Sequence, residues 1–149
     1  MAARADALID DFGATLSGAG LVSTTAGRIF ALLMMSEEPL SQADIRARLE
    51  VSEGSVSEGT RALEALGMVE RVDIPKVRRS FFRIHSDAWV NCAEATLTFV
   101  QEMNDLALRL ERSLAKPSPV VRKQIAGMGA YYALLAQELP RILRSKPTA

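Results

Sequence analysis

Between Ser41 and Ile84 the chain reads SQADIRARLEVSEGSVSEGTRALEALGMVERVDIPKVRRSFFRI, and few folds accept that order of signals. Ser41 can cap a short helix, with Asp44 three residues on as the shorter relative of a capping-box acid. Ile45 and Leu49 give that helix an inward edge, Val51 is placed as the buried pivot of a turn, and Ser52 caps a second helix running to Leu66. Gly67 suits the left-handed position just past a helix end. Met68–Val72 and Ser80–Ile84 are short, rich in Val, Phe and Ile, and read as strands. Between them Asp73 to Arg79 forms a turn with Lys76, Arg78 and Arg79 near its tip. Helix, tight turn, helix, strand, basic turn, strand is the order of a winged helix-turn-helix.

Laid out at about 100° per residue, the helix from Ser52 to Leu66 has two distinct sides. Val56, Gly59, Thr60, Leu63 and Leu66 cluster on one and should pack; Gly54, Ser57, Glu58, Arg61 and Ala65 fall on the other, flanked by Glu53 and Glu64. The outward face therefore offers one arginine among acids. Residues 37–64 carry seven acids against three bases, a net of −4, whereas residues 71–83 carry five bases against Asp73, a net of +4. Cations are concentrated in the wing, not in the helix.

The remaining segments look arranged to hold and pair this element. Residues 3–17 have Ala5, Leu8, Ile9, Phe12 and Leu16 at helical spacing, ended by Gly18 and Gly20. Ser23 or Thr24 can cap a second helix to about Ser36, apolar on most sides and so destined for the core. Ser86 or Asp87 should start a long helix to about Lys116, with an apolar seam of Trp89, Cys92, Thr96, Phe99, Met103, Leu106, Leu110 and Leu114. Lys116-Pro117-Ser118-Pro119 is a break, and Ser118 followed by Pro119 opens the last helix. Its seam is Val121, Ile125, Met128, Tyr132, Leu135, Leu139 and Ile142, with Pro140 expected to kink it or end its regular part. Gly127 and Gly129 read as places of close helix approach. The fold class expected is mainly α with a small β-wing: a helix over 1–20, the winged helix over 21–85, and a helical region over 86–149.

At 149 residues and 48% hydrophobic, one compact domain with a core of Leu, Ala, Val, Ile and Met is expected. A zero net charge argues against a generally basic nucleic-acid coat, but steering depends on distribution as well as total. Residues 109–146 add a further basic stretch, net +6, read as solvation and edge charge. The start, MAARADALIDDF, has three aspartates and no long apolar run, and the most apolar stretch, IFALLMM, falls well short of the ~20 residues a span needs. With a lone Cys92, which suits a reducing compartment, a cytoplasmic location is expected.

The stretch from Gly27 to Ile84 resembles the GbsR-type branch of MarR-like winged-helix regulators. The matching pieces are Gly27-Arg28-Ile29, Pro39-Leu40-Ser41, Val51-Ser52 with Gly54-Ser55-Val56-Ser57, Arg61-Ala62-Leu63 and Leu66-Gly67, and the long helices after the wing fit as well. The chain departs from the family where Glu53 stands in place of a basic residue, and where Pro75-Lys76 replaces a Pro-Gly pair. The resemblance implies a homodimeric transcription factor that binds double-stranded DNA, its recognition helix in the major groove and its wing on the backbone or minor groove.

Each candidate residue has a functional and a plain role. Arg61 can pair with guanine in the major groove or with Glu58 or Glu64 on its own helix. Ser41, Ser52, Ser55 and Ser57 can donate to phosphates while capping. Glu53 and Glu58 can accept from cytosine, suppress non-specific binding, or simply be solvated. Lys76, Arg78 and Arg79 point to phosphate or minor-groove contact by a wing over 73–80, with helix 52–66 as reader of a palindromic operator. Leu8, Phe12, Val121, Ile125, Met128, Tyr132, Leu135 and Leu139 are the expected dimer contacts. Trp89, Phe99 and Met103, with Tyr131 and Tyr132, either line a pocket for a small-molecule effector or serve packing. Cys92 is read as a small buried hydrophobe sooner than a redox switch, and lone His85 offers no metal site. With no nucleophile–base pair or phosphate loop, neither enzymatic activity nor a cofactor is expected. The acidic helix-turn-helix leaves one rival, a winged-helix adaptor for other proteins.

Overall fold

The computed structural model describes residues 2–145; Lys146, part of the basic C-terminal stretch, lies outside them. Their contacts gather into two compact units, one up to Asn91 and one from Cys92.

The first unit begins with α1 (Ala2–Gly18) and α2 (Thr24–Met34), the latter capped by Ser23, whose hydroxyl accepts from the Ala26 N–H. The two helices approach closely because glycines face each other: a Cβ added at Gly27 would lie 2.9 Å from Gly13 Cα. Arg28 ties the crossing down, donating from Nε to Asp10 at 2.7 Å and reaching the Leu49 carbonyl at 3.4 Å. That carbonyl is one of the unpaired acceptors at the end of the next helix, where positive charge is favourable.

A two-residue strand, β1 (Leu40–Ser41), leads into α3 (Gln42–Leu49), then α4 (Glu53–Ala65), β2 (Val69–Asp73) and β3 (Ser80–Ile84). The sheet is antiparallel in the order β1-β3-β2, with Leu40 opposite Phe82 and Val69 opposite Ile84. β1 has no counterpart in the sequence pattern, since two residues carry no periodicity. The core joins Ile29, Phe30 and Leu32 of α2, Ile45 of α3, Val56 and Leu63 of α4, Met68, and Phe82 of the central strand, each at most 2% exposed. Phe30 is also met by Phe12, at 5.8 Å between ring centroids, and edge-on by Trp89 at 5.4 Å.

Local signals fix the ends of these elements. Ser41 and Asp44 form a full capping box, and Ser52 caps α4 by accepting from the Ser55 N–H. Glu50 closes α3 in the left-handed region at φ 53°, a position glycine would hold without strain. Val51 is half-buried, not the fully buried pivot expected, because the turn runs along the surface.

The last long helices are α5 (Ala88–Ser113), within which the division between the units falls, and α6 (Pro119–Arg144). α5 starts after a histidine-built turn: His85 Nδ1 accepts from the Asp87 N–H at 3.0 Å, and the His85 carbonyl from Ala88 at 3.0 Å. Ser118 caps α6 with Pro119 in its first turn, and the helix continues through Pro140 to Arg144. In the second unit Phe99 meets Tyr132 edge-on at 6.2 Å, and Val100 and Ala107 are buried. Gly129 lies in ordinary contact with Ala107, 3.8 Å from its Cβ site, but nothing approaches Gly127, which is no point of close helix approach in this chain. Cys92 is half-buried, more open than the expected small core residue. No described helix is long and apolar enough to cross a membrane.

Candidate nucleic-acid interface

α4 divides as its sequence pattern requires. Val56, Gly59, Thr60 and Leu63 are buried, with the Thr60 hydroxyl returned to the Val56 carbonyl at 2.9 Å. Glu53, Gly54, Glu58 and Arg61 are exposed, and Ser57 is half-buried. Arg61 forms no ion pair among the described residues. Glu64, one of the two partners considered for it, is instead turned toward Arg71 on β2, with Nε to Oε1 at 3.3 Å. Glu53 and Glu58 are likewise without a cationic partner among the described residues.

The serines separate into two groups. Ser52 and Ser55 sit at the start of α4, with hydroxyls 2.8 Å apart, and both are accessible enough to turn one donor outward. Ser41 is different. It is 1% exposed, and its hydroxyl donates to Asp44 at 2.5 Å while accepting from the Asp44 N–H at 3.2 Å. This corrects its expected place among DNA contacts: the capping box and pairing with β3 bury the side chain. Hydrogen bonds from the Ser41 hydroxyl and backbone N–H hold the Asp44 carboxyl below its ordinary range, helped by the charge of Arg79.

The wing turn spans Ile74 to Val77, closed by the Val77 N–H to the Ile74 carbonyl at 3.1 Å. Pro75 precedes Lys76, which takes φ 69° where a type II turn favours glycine. Lys76 and Arg78 are exposed and free of ion pairs among the described residues. Arg79 lies over the Phe81 ring, 5.8 Å from its centroid. Two of the five cations between 71 and 83 are answered internally, Arg71 by Glu64 and Arg83 by Glu70 at 2.6 Å. Lys76, Arg78 and Arg79 remain.

An open cleft of about 490 Å³ connects the wing to the helices, lined by Ser41, Gln42, Ala43, Arg46, Glu53, Arg71, Arg79 and Ser80. Gln42 and Arg46 do not stand out in the sequence; they become visible once α3 is set beside β3. The helical spacing of Arg46, one residue past buried Ile45, is the available signal. Among the residues considered for an effector, Trp89 packs on Phe30 while Phe99 meets Tyr132, and neither they nor Met103 lines this cleft.

The expected dimer contacts are placed unevenly. Phe12 is engaged with Phe30 of its own chain, whereas Leu8 is 54% exposed. On α6, Val121 is exposed and Ile125, Met128, Tyr132, Leu135 and Leu139 are half-buried. The apolar residues most open on that helix are their neighbours Val120, Tyr131 and Leu134, together with Ile142. No group of three or more potential metal ligands occurs among the described residues.

Comparisons with known proteins agree with this geometry. Residues 22–80 match the MarR family. The HTH-type transcriptional regulator MmpR5 of Mycobacterium tuberculosis (strain ATCC 25618 / H37Rv) is 28% identical over 104 residues, covering 69% of this chain. That alignment spans 63% of the relative, less than two thirds of its length. A solved structure described as a transcriptional regulator superposes with a TM-score of 0.78 over 92% of this chain and 93% of its own, at 22% identity, which is a likeness of fold. The winged helix of this chain, over residues 22–80, is thus similar to the MarR family in sequence.

Proposed function

We propose that the chain is a homodimeric DNA-binding transcriptional regulator of the GbsR-type branch, acting on a palindromic operator. One observation carries the reading: on a MarR-type winged helix, Arg61, Lys76 and Arg78 are exposed and unpaired among the described residues, while neighbouring cations are internally neutralised. Unpaired cations on the outward helix and the wing are what a phosphate backbone and a guanine edge require. α4 would sit in the major groove and the turn around Lys76 on the flanking backbone or minor groove. The branch assignment rests on the Gly27-Arg28-Ile29 and Gly54-Ser55-Val56-Ser57 matches.

A second copy is supported by α6. None of its described residues is fully buried, although Val120, Tyr131, Leu134 and Ile142 are apolar and each more than half exposed. A helix with that much uncovered apolar surface is stabilised by a partner. Two-fold pairing then places half-sites about one helical turn of DNA apart, or a multiple of it.

The test is duplex binding as a function of salt. Replacing Arg78 and Arg79 together by alanine should flatten the slope by roughly one unit for each phosphate the wing no longer neutralises. An unchanged slope would remove the wing from the reading. Failure of the unmodified protein to bind any duplex at low salt would favour the protein adaptor, for which exposed Glu53 and Glu58 are the supporting feature.

A further inference from the structure

The pair between Glu64 and Arg71 is built differently from one that secures a fold. The Arg71 guanidinium faces Glu64 with two nitrogens, Nε to Oε1 and Nη2 to Oε2, both at 3.3 Å. A strong arginine–carboxylate fork closes to about 2.7–2.9 Å. The arginine side chain is 52% exposed and the glutamate 27%, so water competes for both. Arg71 is nevertheless well positioned: its Cζ lies 5.4 Å from the centre of the Phe82 ring, and Nη1 is 3.5 Å from the Ser80 hydroxyl.

Arg71 also lines the cleft beside α3, together with Arg46 and Arg79. Three guanidinium groups thus border one open groove on the proposed DNA face. Arg46 and Arg79 form no ion pair among the described residues, although Glu53 lines the same cleft and Asp44 feels the charge of Arg79. Of the three, Arg71 is the one in direct contact with a carboxylate. That carboxylate comes from the proposed recognition helix.

We infer that Glu64 occupies the place of a DNA phosphate at Arg71, masking one cation of the DNA face and holding down sequence-independent affinity. The inference rests on the DNA-binding reading above. Its physical content is a competition between one loose carboxylate and the phosphate backbone for a guanidinium that lies over the Phe82 ring. In the unmodified protein the two charges offset each other, and Arg71 adds little to the number of phosphates neutralised.

The experiment is a double-mutant cycle read by salt dependence, using a mixed-sequence duplex and the full chain. Glu64→Gln keeps the size and hydrogen-bonding shape of the side chain while removing its charge. It should steepen the slope of log affinity against log salt by about 0.9, equivalent to about 8-fold tighter binding at 0.1 M salt. In an Arg71→Gln background the same change should leave the slope unaltered. Thermal midpoints of all variants should stay close together, since the pair is loose and exposed. Equal tightening in both backgrounds would mean that removing any acid from this face suffices, and would overturn the role given to Arg71. No tightening by Glu64→Gln would overturn it as well. Absence of binding by the unmodified protein is a separate result: it would remove the DNA-binding reading itself, and the inference with it.

Discussion

Gly27→Ala at the crossing of α1 and α2 should destabilise the protein, whereas the same change at Gly54 should not. Both positions are helical, so each gains up to about 1 kcal/mol from the better helix former. They differ in what the new methyl group meets. At Gly27 it would come within 2.9 Å of Gly13 Cα and 3.2 Å of the Gly13 carbonyl oxygen, with Leu16 Cβ at 3.4 Å. Carbon atoms rest at about 3.5–4.0 Å, so one helix must withdraw by most of an ångström. The Gly13 atoms belong to the backbone and cannot rotate away. Such overpacking costs about 1–3 kcal/mol, and backbone against backbone puts it in the upper part of that range. Subtracting the propensity gain leaves a net loss of about 1–2 kcal/mol. At Gly54 the nearest atom is the Ser52 hydroxyl oxygen at 4.0 Å, so the propensity gain stands alone. Urea unfolding at one fixed protein concentration, needed because the stability of the proposed dimer would depend on it, should show the Gly27 variant's midpoint falling by roughly 0.5–1 M with an unchanged slope. Gly54→Ala should move the midpoint slightly upward. If both variants move in the same direction, the close crossing is not what places α1 against the winged helix.

Three further outcomes follow from particular contacts. Lys76→Gly should stabilise the wing turn by up to about 1 kcal/mol, because φ 69° strains lysine, yet flatten the salt slope of DNA binding by about one unit; Lys76→Ala should flatten it equally without the gain. Ser41→Ala should cost about 0.5–2 kcal/mol at neutral pH through loss of the capping box. Because the Asp44 pKa is lowered by folding, its contribution is present above the unfolded value near 3.9 and disappears as pH falls through the lower folded value. The stability gap between wild type and Ser41→Ala, measured by denaturant titration, should therefore narrow in acid. Leu134→Arg, at a residue 57% exposed, should shift the protein toward monomer in sedimentation and weaken operator binding, and an unchanged association state would exclude α6 from the dimer contact.

Much of the architecture is legible in the sequence because its signals are local. Ser23, Ser52 and Ser118 cap the helices expected of them, and the two sides of α4 follow from periodicity alone. Ser80–Ile84 forms a strand with the expected bounds. What escapes the sequence depends on partners distant along the chain. Ser41 looks like a free donor because nothing local reveals that β1 pairs it with Phe81. Phe12 looks available for a second copy because its spacing does not disclose that Phe30 lies beneath it. On α5 the seam through Phe99 and Leu106 is legible, but past its first residue, Ala88, the residues buried by the chain itself are Val100 and Ala107, one position further along. Two adjoining apolar stripes look alike in sequence, and packing decides which one a single chain covers.

Charge shows the same division between what counting reveals and what contacts decide. The net of −4 over residues 37–64 makes the helix-turn-helix seem hostile to DNA. Two of its acids are engaged internally, Asp44 on the Ser41 cap and Glu64 on Arg71, while Glu53 and Glu58 remain open on the outward side. The net of +4 over residues 71–83 shrinks too, since Arg71 and Arg83 each face a glutamate. The wing keeps three cations, the helix keeps Arg61, and two acids stand beside it. A cation on a phosphate contributes the same wherever along the duplex the protein sits, whereas a carboxylate near the groove penalises every base pair that cannot donate to it. If the chain binds DNA as proposed, this distribution assigns grip to the wing and leaves α4 mainly to reject unsuitable sites.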